Sequence, residues 1–523
     1  MEGIRNVAVI GAGISGVCSA AHLLGQGLSV TVFERSSIAG GVWHFDERSA
    51  VDPAYPNEVA SRGDYERVSF EDDDGYRTPP LTPERSSCSS SDEDHVSPPQ
   101  QSKSDIDIAR LLHAPPGPCY AGLKNNVSLT LMKTALADWP AGLEEFVNQS
   151  YLEEYIQEIA RRHRVNQVTK YNTRVEDVRK IGDKWRICTT SASVQKGSVQ
   201  LVKKTTFFDA VVVASGHYHM PRIPEIPGLK EWKARFPSRV QHSKGYRRAE
   251  TYRNSNVFTI GAGVSSIDIA KEVTQAGGKV WQSSRGGTFD LPASYLPETA
   301  TRVAGVSSFI LDDVKVDDIS DPAAEVPITG CVSLTDGTEL RDLHYVILAT
   351  GYITSYPFLE DKHSDDKVRE EADDHLLVTK EGDMVHNLHK DIFYLEDPSL
   401  AFVGVPYHIS TFSLFDFQAQ VVARVFAGIV RLPAHKAMRK EYAERVRRRG
   451  LGREFHSLRA TGAEMGYVRD LVDWVNMDLA AGVEPMIGHT KMWYAAHKLQ
   501  REQFAQRFGG ELEEWLPKEL IQT

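Results

Sequence analysis

The chain is poor in the residues that staple or anchor a protein. Five of its 523 residues are cysteine (Cys18, Cys88, Cys119, Cys188 and Cys331), an odd number with no C-x-x-C pair. That excludes a disulfide-built scaffold, makes a reducing cytoplasmic compartment the expectation, and removes dithiol redox chemistry. No apolar run reaches about 18 residues, so no transmembrane helix or membrane anchor is expected. No signal peptide is expected either, because a strand pattern begins at Asn6. Positive charge is also short: 60 Lys and Arg against 71 Asp and Glu leave a net −11, which argues against a nucleic-acid partner. No spacing of metal ligands stands out, and no metal is expected. With 41% hydrophobic and 25% charged residues, the chain falls in the ordinary globular range. At this length it can bury a core in each of several domains.

What is present is a repeated glycine loop. Val7–Ile10 is a short β-branched run, Gly11-Ala12-Gly13-Ile14-Ser15-Gly16 follows, and apolar residues then recur at helical spacing up to Gly25. Leu28–Phe33 reads as a second buried strand. The layout recurs 250 residues later: Val257–Ile260, Gly261-Ala262-Gly263-Val264-Ser265-Ser266, a helix to Gly277-Gly278, and the strand Lys279–Ser283. A G-x-G-x-x-G turn between strand and helix lets backbone approach a pyrophosphate, and the helix N-terminus supplies N–H donors. Glu34 closes the second strand of the first unit, where a carboxylate can accept from a ribose diol. The equivalent position in the second unit is Ser284, followed by Arg285. Glu34 would repel a 2′-phosphate, whereas Ser284 and Arg285 can bind one. The first loop is therefore expected to take an unphosphorylated dinucleotide and the second NADPH. Two such sites suggest a relay in which NADPH gives hydride to a flavin. Without a dithiol, the reduced flavin must pass its electrons elsewhere, and O2 leads the choices.

Residues 62–108 differ in kind. They hold nine serines, five prolines, twelve acids and five bases, a charge of 5 − 12 = −7, so the rest of the chain carries −11 + 7 = −4. Such a composition cannot offset the entropy of ordering, and the stretch reads as a disordered acidic Ser/Pro-rich insertion suited to regulatory contact. Asp209–Ala214 and His344–Ala349 are buried-strand patterns that end in Ser215-Gly216 and Thr350-Gly351. Residues 436–523 look largely helical.

Taken together, the motifs resemble the class B flavin-dependent monooxygenases, the flavin-containing monooxygenase (dimethylaniline monooxygenase-like) family. They are Gly11–Gly16 with Glu34-Arg35 and Gly40-Gly41-Val42-Trp43; Phe236-x-Ser238-x-x-x-His242-x-x-x-Tyr246; Gly261–Ser266 with Ile267–Ala270; Ala349–Tyr352 with Pro357–Leu359; and Ser399–Pro406 with Leu414–Gln418. They stand in family order over residues 5 to about 435. The resemblance implies an α/β fold of two Rossmann-like dinucleotide-binding domains, the NADPH domain inserted in the FAD domain, with a helical C-terminal region. The expected boundaries are 1–216 for the first part of the FAD domain, 217–344 for the NADPH domain, 345–435 for the second FAD part and 436–523 for the helical region.

The resemblance also implies roles. FAD would be held by Gly11, Gly13, Ile14, Ser15, Gly16, Glu34, Arg35, Gly41, Val42, Trp43, Asn126 and Gln418. NADPH would be held by Gly261, Gly263, Ser265, Ser266, Ser284 and Arg285. In the family's mechanism NADPH reduces FAD, O2 adds to give a C4a-hydroperoxyflavin, and an amine nitrogen or sulfur of a small substrate takes the distal oxygen. Asn126 matches the family's asparagine near the oxygen site, where a neutral amide can donate and accept without offering a proton; by itself, Asn125-Asn126 reads as a turn. Gln418 matches a residue near the flavin ring, just after the cap candidates Ser410 and Thr411. His242 and Tyr246 read as structural. Ser238 stands where the family has glycine, the 62–108 insertion is long for the family, and the hydrophobic C-terminal anchor of microsomal members is missing. A Baeyer–Villiger oxygenase, an NADPH oxidase and a non-enzymatic interaction protein stay open as alternatives. Tyr246-Arg247, in place of the Trp-Pro or Trp-Asp usual in the first of these, favours heteroatom oxygenation. Detoxification and biosynthesis suit the chain equally.

Overall fold

The structure, a computed structural model, describes residues 3–57, 59–70, 103–195, 198–312 and 325–508. Its frame is two sheets, the first parallel except for an antiparallel edge at Leu388–His389 and Phe393–Tyr394 and the second parallel throughout. The first has seven strands in the order Leu388–His389, Phe393–Tyr394, Leu400–Phe402, Ala210–Val213, Asn6–Ile10, Ser29–Phe33 and Thr169–Lys170. At its centre Asn6–Ile10 runs parallel to Ser29–Phe33 and to Ala210–Val213, with Ile10 beside Phe33 and Val213. Val7, Ala8 and Val9 are fully buried, as expected of a strand covered on both faces. The helix Ile14–Gly25 covers one face and packs its Val17, Cys18 and Ala21 into one core with Phe412, Ala419 and Val422 of the helix Thr411–Phe426.

The second sheet has five parallel strands in the order Ala300–Val303, Lys279–Ser283, Asn256–Ile260, Tyr345–Leu348 and Val240–His242. This corrects the expected boundary at 344/345. Tyr345–Leu348 lies inside the second sheet, where Val346 stands between Phe258 and Val240. A buried apolar strand suits either sheet by composition, and only its register assigns it. The passage between the domains is made by Met220–Pro221 and Tyr352–Ile353, which pair antiparallel with Ile353 opposite Met220. The second unit is thus inserted within the first, and the chain leaves and re-enters through one two-stranded ribbon.

The expectation of disorder over 62–108 fails at both ends of the stretch. Tyr65 donates its hydroxyl to the Val175 carbonyl at 3.1 Å, and the Arg174 guanidinium lies 4.4 Å from the Tyr65 ring. Val68 N–H donates to Glu176 at 3.2 Å. Residues Lys103–His113 form a helix whose Ala109 packs on Val199 and Leu201. Aromatic and amphipathic anchors hold these ends down despite the charged composition around them. The acidic serine and proline tract proper, 71–102, lies outside the described residues, and so does the expectation of regulatory contact that rests on it.

After the Thr411–Phe426 helix the described residues form three more, His435–Arg449, Ala463–Asn476 and Lys491–Phe508. Among the described residues no helix is long and apolar enough to cross a membrane.

Candidate active site

The first glycine loop is a tight cradle. Gly11 has φ +103°, and a Cβ there would stand 2.6 Å from the Ala214 carbonyl oxygen. A Cβ on Gly16 would stand 1.9 Å from the Gly11 carbonyl oxygen, so only hydrogen fits at that position. Gly13 faces Gly41, whose own Cβ would come within 2.8 Å of the Gly13 Cα. Gly41–Trp43 form a short helical turn tied back through Gly40 N–H to the Ala12 carbonyl at 3.1 Å. Ile14 and Ser15 are buried in the start of the helix, while Val42 and Trp43 are half-buried beside it.

Glu34 is buried, accepting from Ala12 N–H at 2.6 Å through one carboxylate oxygen and from Ser36 N–H at 2.8 Å through the other. A carboxylate has about four acceptor positions, so both oxygens retain capacity for a ribose diol. Arg35 is differently engaged: its guanidinium forms a fork with Asp64 at 2.9 and 3.2 Å.

Gln418 is fully buried in the third turn of its helix. Its amide oxygen accepts from Gly404 N–H at 2.9 Å, and its amide nitrogen donates to the Tyr467 hydroxyl at 2.7 Å. Gly404 in turn abuts Ser15, whose Oγ would be 2.8 Å from a Cβ at 404. Gln418 therefore fixes the wall of the first loop, with both ends of its amide bonded within the chain. Ser410, expected as a cap for this helix, makes no side-chain cap bond. Its N–H and hydroxyl donate instead to Glu464, at 2.8 and 3.2 Å. Burial raises the Glu464 carboxyl to about 7.

The second loop repeats the turn but lies open. Gly261 has φ +108° and meets the Ala349 carbonyl oxygen as Gly11 meets that of Ala214. Val264 and Ser265 are exposed, and nothing stands within 4 Å of a Cβ at Gly263. Ser266 takes the place of the third glycine, its buried hydroxyl donating to the Gly263 carbonyl at 3.1 Å. Arg285 is exposed beside Gly305. Ser284 donates to the Asp290 carboxylate at 2.6 Å, and Gly287 N–H donates to the same oxygen at 3.1 Å. A carboxylate thus sits on the hydroxyl expected to read a 2′-phosphate.

The segment that carries Asn126 runs between the two loops. A Cβ on Gly117 would stand 3.9 Å from the Val42 Cα. Tyr120 donates to Asp268, on the helix of the second unit, at 3.0 Å. The buried Arg247 guanidinium braces this run, donating to the carbonyls of Gly117 at 3.1 Å and Cys119 at 3.4 Å. Asn125 and Asn126 then divide the work. Asn125 is buried and donates to the carbonyls of Val127 and Glu145 while accepting from Val147 N–H, at 2.6 to 2.8 Å. The Asn126 side chain is left exposed.

The signature from Phe236 to Tyr246 lies where the two units meet. His242 Nδ1 accepts from Lys244 N–H at 3.0 Å, so its Nε2 carries the proton and donates to the Gly351 carbonyl at 3.1 Å. Burial pushes the imidazole down to about 3 and keeps it neutral. Tyr246 donates to Glu272 at 2.6 Å. Lys244 bonds Asp64 at 2.8 Å. Burial alone would raise the Asp64 carboxyl, but Arg35 and Lys244 outweigh it and hold it far below the usual range. Asp64 and Asp290 escape a reading of the sequence. The first lies in a stretch of unpromising composition, although Tyr65 and Phe70 beside it were a signal. The second follows a Gly-Gly turn with no motif of its own.

A buried glycine cradle with a carboxylate that has acceptor positions to spare, and an open one beside it, define a flavoprotein oxidoreductase with two dinucleotide sites, and the residues present fit both cofactors. The sequence matches the flavin-binding monooxygenase-like family over residues 118–295 and 319–486, and the FAD-dependent oxidoreductase family over 6–46. It is 40% identical to the flavin-containing monooxygenase ustF2 of Aspergillus flavus over 95% of this chain and 97% of that protein. It is 28% identical to the flavin-containing monooxygenase iboF of Amanita muscaria, covering 91% of this chain and 89% of that one. Among solved structures, S-allyl-L-cysteine S-oxygenase from Allium sativum shares the fold with a TM-score of 0.63 at 23% identity, over 99% of this chain and 97% of that one. The chain belongs to the flavin-containing monooxygenase family, whose cofactors are FAD and NADPH.

Proposed function

We propose that the protein is an NADPH- and O2-dependent flavin monooxygenase that oxygenates an amine nitrogen or a sulfur of a small organic molecule. The observation that carries this reading is the Asn126 segment, braced by Arg247 between the FAD loop and the NADPH loop, with the Asn126 amide free. Bound FAD supplies the hydride acceptor and the activation of O2. The chain supplies position and surroundings. The first helix would present its N-terminal N–H groups to the FAD pyrophosphate, and Glu34 would accept from the ribose. Ser284 and Arg285 would hold the 2′-phosphate of NADPH. The Asn126 amide would donate and accept at the reacting oxygen without releasing a proton. Relatives named for N-oxide formation, at 25% identity, and the S-oxygenase neighbour support a soft nucleophile as substrate. Among the described residues four free thiols are buried, which suits a reducing cytoplasm.

Asn126→Leu tests the reading. The variant should keep its FAD and its rate of reduction by NADPH, oxidise NADPH several-fold faster without substrate, and release hydrogen peroxide. Mass detection of one added oxygen on amines, thioethers, indoles and ketones reports the substrate class. A variant with unchanged peroxide release and product yield would remove Asn126 from the mechanism. Oxygen insertion into ketones alone would replace the heteroatom reading.

A further inference from the structure

The helix Lys491–Phe508 lies beyond residue 486, where the match to the family ends. It docks on the segment that carries Asn126. Trp493 is buried against Leu131 and Met465, and its indole N–H donates to the Leu131 carbonyl at 3.1 Å. Gln500, seven residues on and so on the same face of the helix, reaches the same segment. Its amide oxygen accepts from Ser128 N–H at 3.0 Å, and its amide nitrogen donates to the Asn126 carbonyl at 3.4 Å. One side chain therefore brackets the backbone from Asn126 to Ser128. Asn125 grips the same backbone from within, through Val127 and Val147. His489, just ahead of the helix, stacks on Trp493 at 3.6 Å and meets the edge of Phe417 at 4.9 Å, next to Gln418. The helix is thereby set in register with both the Asn126 segment and the wall of the FAD loop.

We propose that Gln500 is a positioning residue for Asn126, and that the C-terminal helix is part of the active site. The inference rests on the reading of Asn126 given above. Held from both sides, the peptide at 126 has one orientation, and the exposed amide it carries is aimed by that backbone. Without Gln500 the Asn126 carbonyl and Ser128 N–H turn to water, and the amide samples several directions.

The experiment uses the full-length holoenzyme with NADPH and O2 as the only reactants, and compares Asn126→Leu, Gln500→Ala and Gln500→Glu with the parent. FAD content, melting temperature and the rate of reduction by NADPH should be unchanged in both Gln500 variants. Hydrogen exchange at the Ser128 amide should quicken about five- to tenfold in Gln500→Ala, the scale of one lost hydrogen bond. It should quicken less in Gln500→Glu, which keeps the acceptor for Ser128 but sets a carboxylate oxygen against the Asn126 carbonyl. Substrate-free peroxide release should rise in both, towards the level of Asn126→Leu. Unchanged exchange at Ser128 in Gln500→Ala overturns the clamp. Faster exchange with unchanged peroxide release, while Asn126→Leu leaks, reduces Gln500 to a structural contact and overturns the positioning role. If Asn126→Leu itself does not leak, the reading of Asn126 falls first and this inference falls with it.

Discussion

The two strand–glycine–helix units share their spacing and differ in depth. In the first, Ile14 and Ser15 are buried, Gly41 and Gly404 close over the turn, and a Cβ at Gly16 would meet a carbonyl oxygen at 1.9 Å. In the second, Val264 is 46% exposed, Gly263 faces open space, and a serine side chain replaces the third glycine. The Glu34 carboxylate of the first unit is buried on two backbone N–H groups. Its counterpart is Ser284, followed by the exposed Arg285. One motif thus builds two kinds of site: an enclosed one suited to a cofactor that stays, and an open one suited to a cosubstrate that must leave. The difference comes from what packs over the loop, which the loop itself does not encode.

The sharpest way to break this comparison is to add one methyl group to each unit. Gly16→Ala must displace the Gly11 carbonyl from inside a buried turn, and the expected outcome is colourless protein with FAD content near zero. Gly263→Ala meets nothing, and should stay yellow and fold as the parent does. FAD released on denaturation, per mole of protein, measures both. Equal FAD content in the two variants would show that depth does not separate the units.

Next in size is the tie between them. Asp64 joins Arg35, directly after Glu34, to Lys244 in the Phe236–Tyr246 signature, with Asp64 and Lys244 both buried. Asp64→Ala leaves Lys244 buried without its counter-ion and should cost about 3–5 kcal/mol of stability by denaturant titration. The pH dependence has a definite sign. The Asp64 carboxyl titrates below its unfolded value, so its contribution is present above about pH 4 and is lost as pH falls through the folded value. The parent should therefore lose stability on acidification more steeply than Asp64→Ala. Parallel profiles would place the pair outside the stability of the fold.

Much of this was legible in the sequence. The two loops, their offset and Glu34 against Ser284 follow from periodicity and glycine placement, which act locally, whereas the insertion of one unit within the other was implied by the family resemblance. What was not legible is long-range. Tyr345–Leu348 reads as a buried strand of either sheet until its neighbours are known. Asp64 sits in a stretch whose composition predicts disorder, yet two cations 29 and 180 residues away bury it. Asn125-Asn126 reads as a turn, and only the three bonds made by Asn125 show which of the two amides is left exposed. Gln418 was legible as a position by family resemblance, but its grip on Gly404 and Tyr467 was not.

The smallest expected effects sharpen the comparison at the second unit, where two side chains of opposite sign flank Ser284. Arg285 is exposed and carries the charge that a 2′-phosphate would pair with, so Arg285→Ala should raise the KM for NADPH about tenfold, the scale of one charge-assisted hydrogen bond, and leave NADH unchanged. Asp290 acts the other way. Its carboxylate holds the Ser284 hydroxyl at 2.6 Å and Gly287 N–H at 3.1 Å, so a 2′-phosphate that took the Ser284 hydroxyl would lie beside a like charge. Asp290→Asn keeps a neutral acceptor for both donors and removes the repulsion. It should improve the preference for NADPH over NADH about three- to tenfold, the effect of a partly exposed charge in high dielectric. The gain should shrink as salt is raised, because screening weakens the repulsion in the parent too. A fall in NADPH preference in Asp290→Asn would mean that the carboxylate orders the loop for phosphate binding. Asp290 would then be part of the reader, the role proposed for Glu34 in the first unit.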